Sequence, residues 1–161
     1  MVVLRWLDKY FEEVLIGFFL FIMTAVIAVQ VFMRYVMQDS LPWSEELARY
    51  CFIWLVFLGI SYGVKMEKHM RIDVMFLVLK DKGKTILCLI SNLLFLGFAV
   101  FAILYGYQIA AQVLEWGQTS PALKLPVGLV YMAGPVGMGL TAIRLIQQII
   151  QQGKVLAGKE A

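Results

Sequence analysis

Long apolar runs alternate with short polar segments along the chain. Four of these runs approach the roughly 20 apolar residues that a helix needs to cross the hydrocarbon layer of a membrane. They cover about residues 14–36, 47–64, 85–110 and 125–146. Apolar side chains follow one another continuously in each run, whereas a strand of a membrane barrel would alternate apolar and polar positions. The pattern therefore predicts an all-α membrane protein with four transmembrane helices.

Two shorter segments are predicted to lie on the membrane surface. In residues 1–13, apolar side chains recur at helical spacing, and charged side chains that include Glu12 and Glu13 occupy the rest of the helix circumference. This pattern is typical of an amphipathic helix at the interface. Residues 72–79, within the predicted loop 65–84, are apolar but too short to span, so they favour a second interfacial helix.

The distribution of basic residues predicts the orientation. Eleven of the 14 Lys and Arg residues fall on one side of the predicted spans: two before the first, six in the loop 65–84 and three from Arg144 onward. Only Lys124, Arg34 and Arg49 belong to the other side. Because basic residues are enriched in cytoplasmic loops, both termini are predicted to be cytoplasmic, including the tail 147–161.

Composition supports one membrane domain over residues 1–161. Hydrophobic residues make up 61% of the chain and charged residues 16%, with a net charge of +3, so a soluble domain is excluded. No basic tract interleaved with aromatic residues points to nucleic acid. No nucleophile–base pair or cluster of metal ligands is visible, since His69 is the only histidine. The sequence therefore predicts neither an enzyme nor a cofactor or metal site.

The predicted spans contain little that could couple an ion gradient. None of the four runs holds an Asp or Glu away from its ends, and the most interior charge is Arg34. Small residues instead recur at a spacing of four, which permits close helix packing in lipid. These stripes either hold the four helices together or face a larger membrane partner. Their members are Gly59 and Gly63, then Ala102, Gly106 and Ala110, then Ala133, Gly137 and Thr141.

The sequence LPWSEELARY at 41–50 places charges at the entry of the second run. Asp39 or Ser40 is predicted to cap this helix, and Trp43 to anchor it in the headgroup layer. Glu45 and Arg49 are four residues apart in the order that favours a helical ion pair. A second hypothesis pairs Arg34 with Glu46 across the short connection between the first two spans.

Four segments in fixed order resemble a known family. They are RY at 34–35, PWSEELARY at 42–50, WLVFLGISYG at 54–63 and KHMRIDV at 68–74. Together they resemble the small permease subunit of tripartite ATP-independent periplasmic (TRAP) transporters, the DctQ-like family. The resemblance is close in the first half of the chain. The second half matches mainly in length and in its four-span layout.

The resemblance implies a non-catalytic subunit of a sodium-coupled transporter in the bacterial inner membrane. A large multi-span permease subunit would carry the substrate and sodium sites, and a periplasmic protein would deliver a carboxylate such as sialic acid or a dicarboxylate. The small subunit would scaffold and anchor the large one among the membrane lipids and help dock the periplasmic protein. The candidate partner-interface or structural positions are Arg34, Trp43, Glu45, Glu46, Arg49, Gly59, Gly63, His69, Arg71 and Asp73.

Other classes fit the residues less well. A self-sufficient four-helix exporter acting as a dimer would need a carboxylate within an early span, and the first apolar run has none. A haem-binding or quinone-handling subunit is disfavoured because a single loop histidine cannot supply two haem ligands.

Overall fold

The structure, a computed structural model, describes residues 2–66 and 81–156. In this part of the chain α1 spans Val2–Phe32, α2 Pro42–Lys65, α3 Asp81–Glu115, α4 Gly128–Tyr131 and α5 Ala133–Leu156. Four helical stretches within it are long and apolar enough to cross a membrane: Tyr10–Met37, Pro42–Lys65, Thr85–Glu115 and Gly128–Lys154. The predicted all-α fold with four spanning helices is confirmed.

Helix α1 joins two segments that the sequence separated. The predicted interfacial helix 1–13 and the first span form one continuous helix from Val2 to Phe32. A π-helical turn, Met33–Met37, extends it to Gln38, whose left-handed conformation (φ 55°) ends the helix. The backbone N–H of Gln38 donates to the carbonyl of Met33, which is a usual way to satisfy the carbonyls at a helix C-terminus.

Helix α2 begins without the predicted side-chain cap. Leu41 precedes its first residue, Pro42, and neither Asp39 nor Ser40 caps the helix. That prediction is wrong because proline removes one of the donors that a cap would satisfy. The Ser44 hydroxyl instead donates back to the carbonyl of Leu41 (2.6 Å).

A structured loop joins α3 to α4. Helix α3 ends at Glu115, and Gly117, two residues later, adopts a left-handed φ of 63° that glycine accepts without strain. The loop then folds back on itself through an isolated antiparallel bridge between Thr119 and Pro126. The Ser120 amide donates to the carbonyl of Leu125 (2.8 Å), which closes the tip of the loop.

The long helices pack side by side in the order α1, α2, α5, α3. The buried core between them is small: Leu58 of α2 and Leu145 of α5 are 2% and 1% exposed, and the remaining positions are mostly alanine, glycine or serine. Large apolar side chains point outward, as Phe21 (73% exposed) and Leu94 (72%) illustrate. Large apolar side chains exposed along whole helices are suited to contact with lipid or a membrane partner and not with water.

The small-residue stripes have different roles. The Gly137 backbone lies against Phe57 of α2, because a Cβ added there would be 2.6 Å from the Phe57 Cβ. Gly106 of α3 lies against Pro135 of α5 in the same way, at 3.3 Å. Ala110 and Ala133 are completely buried. The stripes on α3 and α5 thus hold the bundle together.

Gly59 lies outside these helix contacts. A Cβ added to it would meet nothing within 4 Å. The stripe on α2 that contains Gly59 and Gly63 therefore leaves an open surface at Gly59.

Candidate functional site

A buried ionic cluster joins three helices near the N-terminal end of α1. The Glu12 carboxylate, 1% exposed, accepts from Arg144 Nε of α5 (2.9 Å) and lies 3.2 Å from Lys65 Nζ of α2. The Ser61 hydroxyl of α2 donates to it as well (2.9 Å). We call Glu12, Ser61, Lys65 and Arg144 the Glu12 cluster. One carboxylate thus binds two cations from different helices and one hydroxyl group.

Glu12 was predicted on the polar face of an interfacial helix, but it is buried between three helices. The helical wheel of residues 1–13 places Glu12 opposite the aromatic stripe, which is indeed the side that contacts α2 and α5. The wheel cannot show that these helices carry Lys65 and Arg144 to the same place. The available signal was that one acidic and two basic residues lie on the same predicted side of the membrane, at the ends of three different spans.

A polar network connects this cluster to α3, the one long helix that contributes no residue to it. Gln148 of α5 donates through its side-chain amide to the Val64 carbonyl of α2. Asn92 of α3 donates to Gln148 (3.4 Å) and to Gln152 (3.2 Å) of α5. Polar side chains therefore link all four long helices at one end of the bundle. In a lipid-embedded protein such pairs fix helix register, because a polar group left unpaired would be costly.

Glu46 holds the α3–α4 loop at the opposite end. Its carboxylate accepts from the backbone N–H of Leu123 (3.0 Å) and of Ala122 (3.2 Å). These amides lie at the tip of the loop closed by the Thr119–Pro126 bridge. Two charge-assisted hydrogen bonds from one carboxylate fix the loop against the start of α2.

Glu45 makes a different contact from the predicted one. It accepts from the Gln30 side chain of α1 (2.8 Å), which joins the first two spans at this end. The predicted Glu45–Arg49 ion pair is absent among the described residues, and so is the hypothesised pair of Arg34 with Glu46. The Glu46 carboxylate accepts from the loop amides instead, and the side chains of Arg34 and Arg49 are exposed.

Of the predicted positions not yet discussed at the two ends of the bundle, the structure describes only Trp43. Trp43 is partly exposed (39%) in the first turn of α2, next to the Glu46 contact. His69, Arg71, Asp73 and the predicted interfacial helix 72–79 lie outside the described residues. Among the residues that the structure does describe, no group of three His, Cys, Asp or Glu side chains could hold a metal ion.

Sequence comparison identifies the family to which this chain belongs. Residues 23–154 match the family described as tripartite ATP-independent periplasmic transporters, DctQ component. The chain belongs to this DctQ family. The predicted family is confirmed, and membership of this family together with the four apolar helices makes the chain a multi-pass protein of the bacterial inner membrane.

Several relatives carry TRAP transporter names. The chain is 28% identical to a C4-dicarboxylate TRAP transporter small permease protein of Vibrio cholerae, covering 93% of this chain and 76% of the relative. It is 27% identical to a sialic acid TRAP transporter small permease protein of the same organism, covering 96% and 88%. The DctQ protein described here is thus a small TRAP permease subunit and a component of a transporter.

A third relative is much longer. The isethionate TRAP transporter permease protein DctMQ of Oleidesulfovibrio alaskensis is 30% identical over 159 residues, which cover 95% of this chain. The DctQ chain spans only 25% of that relative's length. A DctQ-like segment can therefore be one part of a longer permease polypeptide.

Proposed function

We propose that this DctQ subunit is a non-catalytic scaffold. It anchors a large transport subunit in the membrane and helps dock a periplasmic binding protein. The complete transporter takes up a carboxylate, such as sialic acid or a dicarboxylate, with sodium. The substrate and sodium sites then belong to the large subunit.

The observation that carries this proposal is the use of the acidic groups near the bundle's ends. Glu12 is bound by Arg144, Lys65 and Ser61, and Glu46 is bound by two loop amides. A coupling carboxylate must be able to exchange its partner for a sodium ion or a proton. Carboxylates that each bind several groups of the same chain are instead suited to holding helices and a loop in place.

The open surface of α2 supports a large membrane partner. Phe52 and Val56 are 52% and 40% exposed, and Gly59 has no neighbour that a side chain would touch. With Gly63 they recur at spacings of four, three and four, which places them along one helix face. Small residues at one end of such a face let a second helix approach closely.

The long relative supports the same arrangement. A DctQ-like sequence occupies a quarter of the DctMQ polypeptide, so in that protein it is covalently joined to a much larger permease segment. This supports a close association between a DctQ subunit and a large permease, whether or not the two are covalently linked.

The orientation follows from the excess of basic residues. With both termini cytoplasmic, the Glu12 cluster lies at the inner end of the bundle. The Glu46 contact and the loop 116–127 then lie at the periplasmic end. The rigid loop would form part of the surface that the periplasmic protein meets.

Uptake measurements test whether transport requires the large permease subunit. Cells that express this chain alone should show no sodium-dependent uptake of labelled sialic acid or succinate. Cells that also express a matching large permease and binding protein from the same organism should show uptake of the cognate substrate. Sodium-dependent uptake by the chain alone would contradict the scaffold proposal, because it would place the substrate and sodium sites in this chain.

Glycine substitutions test the partner surface. Gly59→Leu should weaken co-purification of the large permease, because leucine adds bulk to the open surface of α2. Gly17 of α1 and Gly97 of α3 are matched controls, since added side chains there also meet nothing within 4 Å of the same chain. Loss of the partner with Gly97→Leu but not with Gly59→Leu would place the interface on α3 instead.

A further inference from the structure

An apolar groove with a cationic mouth opens between α2, α3 and the α4–α5 segment. Its volume is about 640 Å³, which is within the range of small-molecule sites. Ile53 and Phe57 line one wall from α2, Ala102 and Ile109 line the other from α3, and Pro135 lines it from α5. Arg49 is the one charged residue among those that line the groove.

Arg49 has no anionic partner at ion-pair distance in the described part of the chain. Two carboxylates lie within one turn of it on α2, but each is engaged elsewhere: Glu45 accepts from Gln30, and Glu46 accepts from the amides of the α3–α4 loop. The Arg49 side chain is exposed at the groove. The Arg49 charge acts on Glu46 over a longer distance than an ion pair, which leaves its guanidinium N–H donors for water or an external anion.

The depth of Arg49 fits the boundary between headgroups and acyl chains. It follows Pro42, the first residue of α2, by seven positions, or about 10 Å along a helix. Trp43 at the helix start is of the residue type that marks the headgroup layer. Tyr50 and Tyr131, which also line the groove, are amphipathic side chains of the same kind.

We propose that this groove binds one phospholipid, with its phosphate on Arg49 and an acyl chain between α2 and α3. The groove complements a phospholipid along its length. The cation at its mouth faces the phosphate, and the apolar side chains beyond it face an acyl chain. An arginine binds phosphate oxygens through parallel N–H donors, and the groove walls offer only dispersion contacts and burial. A lipid held there fills the open space between α2 and α3 and so stiffens the bundle.

Native mass spectrometry of the full chain in mild detergent tests the proposal. The wild-type protein titrated with phosphatidylglycerol should retain a single lipid. Arg49→Gln should lower its retention about tenfold or more, because it removes a charge-assisted contact. Arg49→Lys keeps the charge and should bind between the two. Arg34→Gln is the matched control, since Arg34 is also an exposed arginine but does not line the groove.

A second variant separates the groove from general surface charge. Ala102→Phe fills the groove from α3 and leaves Arg49 in place, so it should also expel the lipid. Glycerol 3-phosphate, which has the headgroup phosphate without acyl chains, should not compete at the same concentration. The lipid should remain in the complex with the large permease.

Several results would overturn the assignment. Equal retention by the wild type, Arg49→Gln and Ala102→Phe would show that the groove is not a lipid site. An equal loss with Arg34→Gln would show unspecific attraction of anionic lipid. A lipid held by the isolated chain but absent from the complex would show that the groove receives a segment of the partner.

Discussion

Removing the charge of Glu12 should destabilise the bundle strongly. Glu12→Gln preserves the shape of the side chain and an acceptor for Ser61, but it removes the buried negative charge that lies 3.2 Å from Lys65 Nζ and 2.9 Å from Arg144 Nε. Breaking a buried ion pair by removing one partner costs about 3–5 kcal/mol. Lys65 and Arg144 are 17% and 11% exposed, so partial solvation offsets some of this cost. We therefore expect a loss at the lower end of that range, about 3 kcal/mol.

Thermal unfolding in detergent, followed by tryptophan fluorescence, measures the effect. For a chain of this size, about 3 kcal/mol corresponds to a fall in Tm of roughly 6–12 °C. Glu13→Gln is the control, because Glu13 is the exposed neighbour of Glu12 on the same helix. It should change the Tm by no more than about 2 °C.

A multiple substitution separates charge pairing from packing. Replacing Glu12, Lys65 and Arg144 together with Leu or Met should restore most of the stability, since apolar residues of similar volume can replace a buried ionic group at little cost. If Glu12→Gln unfolds at the same temperature as Glu13→Gln, the Glu12 cluster does not hold the three helices, and the argument from it is refuted.

Two further predictions concern the other contacts. Glu46→Gln should make the α3–α4 loop more susceptible to limited proteolysis and should reduce uptake by the complete transporter without changing its sodium dependence. Glu45→Gln, which alters only the contact with α1, should have a smaller effect on the loop, and a selective shift in sodium dependence with Glu46→Gln would contradict the structural role. Gly137→Leu should cost several kcal/mol and prevent folding, because its side chain would overlap the α2 backbone. Gly139→Leu, two residues further along α5 in open space, should leave the Tm nearly unchanged, and equal tolerance of both substitutions would refute the close α2–α5 contact.

Local patterns in the sequence were sufficient to predict the four-helix architecture. Hydropathy is a sum over neighbouring residues, so four apolar runs predict four spanning helices whatever their packing. The ordered segments between Arg34 and Asp73 were likewise sufficient to predict the family, which the sequence comparison confirmed. Gly106 and Gly137 were recognised as packing positions, because small residues at helical spacing are informative within a single helix.

The roles of individual charged residues depended on which helices are neighbours. The sequence alone favoured the local Glu45–Arg49 pair, but Gln30 of α1 provides a donor to Glu45 that a single-helix argument omits. The same holds for Glu46, whose partners are backbone amides more than 70 positions away.

The sequence by itself determined that the chain is a four-span membrane protein of the DctQ family. The tertiary structure decided that Glu12 is buried, that Gly59 is open while Gly137 is closed, and that Arg49 faces a groove. The physical reason is that hydropathy and helical spacing are properties of one segment. The environment of a charge or a glycine is set by the surfaces that other segments bring to it.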